Sequence, residues 1–159
     1  MVMVAAKAQE IARQFGRLLG CPCLIIEGQA VHFRARERSV LLPFENSLGG
    51  AHVLVIVEHQ LAVMLVGAVE GNPIHHLDQR LQSEQLNTAE IQGLLELMKR
   101  LHTVFQEDGL DLSLGQIHLD PFEERRPDIE ALLMGPAVRE DFQLTIEGYG
   151  AGRLSVLSA

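Results

Sequence analysis

A chain of 159 residues, 47% hydrophobic and 21% charged, has the size and composition of one globular domain that can bury a core without disulfide or metal staples. Aromatic residues are only 4% and Trp is absent, so an aliphatic core of Leu, Val and Ile is expected. The formal net charge of −8 is concentrated in residues 107–147, where eleven carboxylates stand against three arginines. That acidity repels phosphate backbones, argues against nucleic acid as the main partner, and would attract a basic protein segment.

The N-terminal stretch MVMVAAKAQE has no basic region before an apolar run, so no export signal is expected; with only two cysteines, the chain is expected in the cytoplasm. Residues 4–19 are predicted as a helix, because Ala8, Ile11, Ala12, Phe15, Leu18 and Leu19 recur at helical spacing. Gly20 stands where a left-handed C-terminal cap belongs, and Pro22 forbids further helix. The period then becomes that of strands. Residues 23–27 and 30–36 are predicted as a hairpin around Gly28-Gln29, with Val31, Phe33 and Ala35 on one face and His32, Arg34 and Arg36 on the other. RSVLLPFE is predicted as a third strand, confined by Pro43 to an edge or a strand end.

AHVLVIVE and LAVMLVGAV together are as long as a membrane span, but Glu58, His59 and Gln60 interrupt them, so no membrane insertion is expected. Two strands and a turn are predicted there, apolar on both faces, one face needing a helix and the other a second helix or a partner subunit. Asn72-Pro73 is predicted to open a short helix ending near Glu84. Asn87 and Glu90 form a capping-box pattern that opens a helix over 88–107, with an apolar face wider than a minimal core stripe. LDLSLGQIHLD alternates with a phase slip at Gly115-Gln116, RPDIEALLMGP reads as a short helix, and DFQLTIEGY and RLSVLS as two late strands. No repeat or linker divides the chain, so a single domain over 1–159 is expected.

Few residues carry a chemical motif. Cys21 and Cys23 could be a redox or metal pair, but they follow a helix rather than precede one and read as small residues at a helix–strand junction. His75, His76 and Asp78 lie within one turn; a metal site there would need help from His52, His59, His102 or His118, and a solvated turn is the reading preferred. GYGAGRL has glycines but no following helix, so a strand–strand turn is expected rather than a dinucleotide loop. No phosphate loop, nucleophile elbow or zinc-protease motif is present, and no cofactor or metal is expected. The candidate contact residues are His32, Arg34 and Arg36 on the sheet, suited to an acidic peptide or a phosphate, and Leu97, Leu101 and Val104 on the wide helix, suited to a partner or a dimer seam.

The stretch AAKAQEIARQFGRLLGCPCLIIEGQAVHFRARERSVLLPFE resembles the opening of type III secretion chaperones and their YbjN-like relatives, and of an uncharacterised cyanobacterial family of that fold. The shared features are an N-terminal helix ending in Leu-Gly, a Pro-containing junction and a β-meander. The resemblance implies an α+β two-layer sandwich, with an N-terminal helix, an antiparallel meander and central helices packed on the sheet. It brings no catalytic residues. The expected function is therefore a non-enzymatic, chaperone-like protein-binding domain that acts as a homodimer on another polypeptide. The alternative is a small-molecule-binding domain or an enzyme with a pocket of dispersed histidines and carboxylates.

Overall fold

A computed structural model describes residues 2–28, 38–101, 111–120 and 124–159. The expected α+β fold forms, with helices packed on a seven-stranded antiparallel sheet. In chain order the elements are α1 (Val2–Leu19), β1 (Cys23–Glu27), β2 (Ser39–Glu45), β3 (Ala51–Glu58), α2 (His59–Val69), a single 3₁₀ turn (Ile74–His76), α3 (Asp78–Leu81), α4 (Thr88–Arg100), β4 (Ser113–Leu114), β5 (His118–Asp120), α5 (Pro127–Met134), β6 (Val138–Ile146) and β7 (Gly150–Ser158). Spatially the strands run β1-β6-β7-β3-β2-β4, with β5 also pairing β2. Among the described residues β2–β3 and β6–β7 are the sequential hairpins, and the N-terminal strand β1 pairs with the late strand β6. The predicted strand over 30–36 lies outside the described residues.

Local chemistry sets several boundaries as expected. Gly20 adopts φ 70° and its N–H donates to the Gly16 carbonyl at 3.0 Å, closing α1. At the start of α4, Asn87 Oδ1 accepts from Glu90 N at 2.8 Å while Glu90 Oε1 accepts from Asn87 N at 2.9 Å, a complete capping box. The last residues of the predicted 88–107 helix lie beyond those described. Pro43 is in mid-strand rather than at a sheet edge. Its carbonyl accepts from Gly115 N at 2.7 Å; because N and O of one strand residue point the same way, its missing N–H faces the break between β4 and β5. The phase slip at Gly115-Gln116 is that break.

Two predicted elements are corrected. Residues 61–69 form the helix α2, not a strand, and α2 follows β3 without a loop. Leu61 to Ala68 are all buried, between the sheet on one side and α1 and α4 on the other. A helix covered all round shows no amphipathic period, so its sequence reads like a covered strand. The segment after Asn72-Pro73 is a 3₁₀ turn and a four-residue helix rather than one helix. Asn72 does not cap it, since its side chain donates to Glu70 Oε2 at 3.1 Å and its carbonyl accepts the Tyr149 hydroxyl.

The sheet separates two cores. On the inner face Val40, Leu42, Phe44, Val53, Val55, Val57, Phe142, Leu144 and Ile146 pack against α1, α2 and α4. On the outer face Leu41, Leu54, Ile56 and Leu157 pack against Ile129, Leu132 and Leu133 of α5. Among the described residues no helix is long and apolar enough to cross a membrane. The approach of α2 to β7 requires a glycine: a Cβ on Gly152 would stand 2.5 Å from Leu61 Cβ and 3.1 Å from Leu61 Cα. Gly152→Ala is expected to cost about 1–3 kcal/mol in urea unfolding, by forcing helix and sheet apart.

A candidate docking surface on the outer sheet face

Helix α5 covers only one half of the outer face, and ion pairs fix it there. Arg125 donates from Nε to Asp120 Oδ1 at 2.8 Å and from Nη2 to Asp120 Oδ2 at 3.0 Å, tying the approach to α5 to β5. Arg126 reaches Glu45 Oε2 of β2 at 2.6 Å and grips Asp128 at 3.0 and 2.7 Å. Asp128 in turn accepts from Ala51 N at 2.8 Å and Ile129 N at 3.0 Å, joining the helix start to β3. The Arg126 guanidinium, followed by these backbone donors, holds the Asp128 carboxyl at about 2 despite partial burial. All three arginines of the acidic segment are thus engaged with carboxylates, Arg139 with Asp141 at 3.1 Å.

The other half, formed by β1, β6 and β7, is open among the described residues. Directly opposed antiparallel residues share a face, and the register places Leu24, Thr145 and Ala151 in one row and Ile26, Gln143 and Arg153 in the next. Leu24 is 63% and Ile26 49% exposed, although both belong to a strand whose Cys23 and Ile25 pack inward. The charged side chains of β6 and β7 on this face are paired. Arg153 Nε donates to Glu58 Oε2 at 2.6 Å, and Ser155 Oγ donates to Asp141 Oδ1 at 2.6 Å. The result is a nearly neutral sheet floor, apolar along β1 and walled on the far side by α5. Where β1 ends opposite Phe142 and β6 continues to Val138, a cavity of about 550 Å³ opens between the sheet edge and Ala8 and Gln9 of α1.

Of the six candidate contact residues, Leu97 and Leu101 are among the described residues. His32, Arg34, Arg36 and Val104 lie outside the described residues. Leu97 and Leu101 are 3% and 0% exposed and belong to the inner core, so the breadth of the α4 stripe is used within the chain. Cys21 and Cys23 are free thiols packed against that core, as a helix–strand junction would have them. Burial, then the neighbouring Cys21, pushes the Cys23 thiol up to about 11, so it stays protonated and unreactive. His75 and His76 on the 3₁₀ turn and Asp78 at the start of α3 are exposed. His118 is buried, and neither ring nitrogen has a hydrogen-bond partner among the described residues. No three of the described His, Cys, Asp or Glu residues are grouped to hold a metal ion. The glycines of GYGAGRL make the β6–β7 turn and the first residues of β7. Leu24 and Ile26 were missed because the alternation in CLIIE marks two faces without saying which one the fold covers.

No protein-family model matches the chain, and no curated protein does. Solved structures do. Thermotoga maritima FliY superposes with a TM-score of 0.58 at 15% identity, covering 100% of this chain and 93% of that one. A chain of the FliG–FliM complex from H. pylori gives 0.56 at 9% identity over 95% and 85% of the two chains. The chemotaxis protein CheX from Desulfovibrio desulfuricans gives 0.52 at 12% identity over the whole of both. At these identities the likeness establishes the fold. It overturns the resemblance to secretion chaperones, YbjN-like proteins and the cyanobacterial family of that fold. The stretch that carried that resemblance encodes a helix, a proline junction and a few strands, whereas these superpositions span the chain.

The clamp yields a pH dependence of definite sign. The Asp128 carboxyl lies at about 2 in the fold against an ordinary 3.8, so its stabilising contribution is present above about 3.8 and is lost as pH falls toward 2. Asp128→Asn is expected to cost about 1–3 kcal/mol in urea unfolding at neutral pH, toward the lower end because the pair is partly in solvent, and progressively less near pH 2.

Proposed function

We propose that this chain is a non-enzymatic protein-binding domain that docks a partner polypeptide on the open β1–β6–β7 half of its sheet. The observation that carries the reading is the exposure of Leu24 and Ile26, side by side on a strand of regular structure and next to a floor whose charges are already paired. Partly exposed aliphatic side chains on a sheet face are a docking resource when polar groups around them need no further partner. Structures of the same fold support an interaction role: FliM from H. pylori is found in complexes with FliG and with SpeE. A homodimer through the 88–107 helix has no support from Leu97 or Leu101, whose side chains the core already holds.

The test is affinity capture from the source organism with the wild-type chain and with a Leu24→Glu, Ile26→Glu double variant. Both positions are exposed, so the variant is expected to keep its unfolding midpoint to within about 0.5 kcal/mol each. A partner captured in stoichiometric amount by wild type and lost by the variant is the expected result. Replacing Cys21 and Cys23 by Ser is expected to leave capture intact. Capture that persists in the double variant would move the docking surface elsewhere.

A further inference from the structure

The cavity at the edge of the sheet holds a carboxylate oxygen that no described residue uses. Glu140 of β6 stands opposite Val156, which belongs to the inner core, so its side chain points to the helical side of the sheet, away from the paired charges of the outer floor. Phe142, the next residue of β6 on that side, is buried. Oε2 of Glu140 is closed to solvent and has no hydrogen-bond partner among the described residues. Such an oxygen has given up its water and received no donor in return. Its dehydration is complete in the fold, so a cation that reaches it loses only its own hydration.

The surroundings of this oxygen select the kind of cation. The cavity has about 550 Å³, and Arg139, Asp141, Glu27 and Glu140 all line it. Arg139 and Asp141 are paired with each other at 3.1 Å, which leaves Glu27 and Glu140, so three carboxylates against one guanidinium give a net charge of −2. Glu27 stands opposite Phe142 in the last pair of β1, on the same side of the sheet as Glu140, and is exposed to water. The remaining wall is largely hydrocarbon, from Ala8, Ile25 and Phe142. An apolar wall with carboxylates in it suits a methylene stem that ends in a charged tip, as in lysine and arginine. A metal ion is a poorer match, because no three described His, Cys, Asp or Glu residues are grouped to hold one. Ile26, one of the two exposed apolar residues of β1, lines the same cavity, so cavity and docking face are continuous.

We infer that this cavity receives an arginine or lysine side chain of the polypeptide that docks on β1, with Glu140 as its hydrogen-bond acceptor. The identity of the visitor rests on the docking reading, and the cavity adds to it that the docked segment is basic as well as apolar. Its apolar residues cover Leu24 and Ile26, and one basic side chain passes the end of β1 to the orphan oxygen. The net charge of −8 on the whole chain favours the approach of such a segment.

Nα-acetyl-arginine amide and Nα-acetyl-lysine amide, titrated into the isotope-labelled intact chain and followed by NMR, probe the cavity without the partner. Saturable shifts are expected at the amides of Gln9, Gly28 and Glu140, with a Kd of about millimolar. Nα-acetyl-norleucine amide, which has the stem without the charge, is expected to produce none. Glu140→Gln keeps the size of the side chain and is expected to weaken cation binding about tenfold. Failure of either cation to saturate, equal binding of the norleucine amide, or unchanged affinity in Glu140→Gln would each overturn the inference. The wild-type comparison of charged and uncharged amides decides the matter even where the variant folds poorly. Leu24 lies outside the cavity, so Leu24→Glu is expected to abolish partner capture and leave cation binding unchanged. If capture survives the Leu24→Glu, Ile26→Glu change while the amides still bind through Glu140, the docking reading fails and the cation site stands. If capture depends on Leu24 while Glu140→Gln alters neither capture nor amide binding, the cation site fails and the docking reading stands.

Discussion

Strand β3 has no face that tolerates water: Val53, Val55 and Val57 point into the helical layer while Leu54 and Ile56 point away from it, all at 0–1% exposure. Covering each such side chain is worth about 1.5–3 kcal/mol, so neither face can be left open at tolerable cost. The inner face is met by α2, which leaves β3 without a loop and returns over the strand it has just left. The outer face is met by α5, which has only eight residues and little helical stability of its own. The Arg126–Asp128–Glu45 and Arg125–Asp120 contacts supply the fixation that its length does not.

The same economy explains why α5 stops at half of the sheet. One short helix spans β2, β3 and the end of β7, and no described element continues across β6 and β1. That half answers the exposure by matching its charges within the sheet, Arg153 with Glu58 and Asp141 with Arg139 and Ser155. Among the described residues its exposed large apolar side chains are Leu24 and Ile26 of β1 and, at the far end of β6, Val138. A partner that covers it removes apolar area without having to strip unpaired charges of their hydration, which is the costly part of most polar interfaces.

What could be read from the sequence was what local chemistry specifies. The Gly20 stop, the Asn87–Glu90 capping box, Pro127 opening α5 and the β6–β7 hairpin each depend on a few neighbouring residues. The failures have a common cause in contacts distant along the chain. Residues 61–69 look alike whether a covered strand or a covered helix results, because the period that separates the two disappears when every side is buried. Leu97 and Leu101 read as surplus until α2 is recognised as a helix for α4 to pack on. Leu24 and Ile26 show as candidates only when β1 is known to pair with β6 and α5 to stop short of both.

Hydrogen-exchange footprinting of the chain with and without its captured partner tests the central claim most directly. The account predicts slowed exchange in residues 23–27 of β1 and in the neighbouring parts of β6 and β7, with α2 and α4 unaffected. Protection confined to the helical layer, with β1 exchanging as in the free chain, would contradict it.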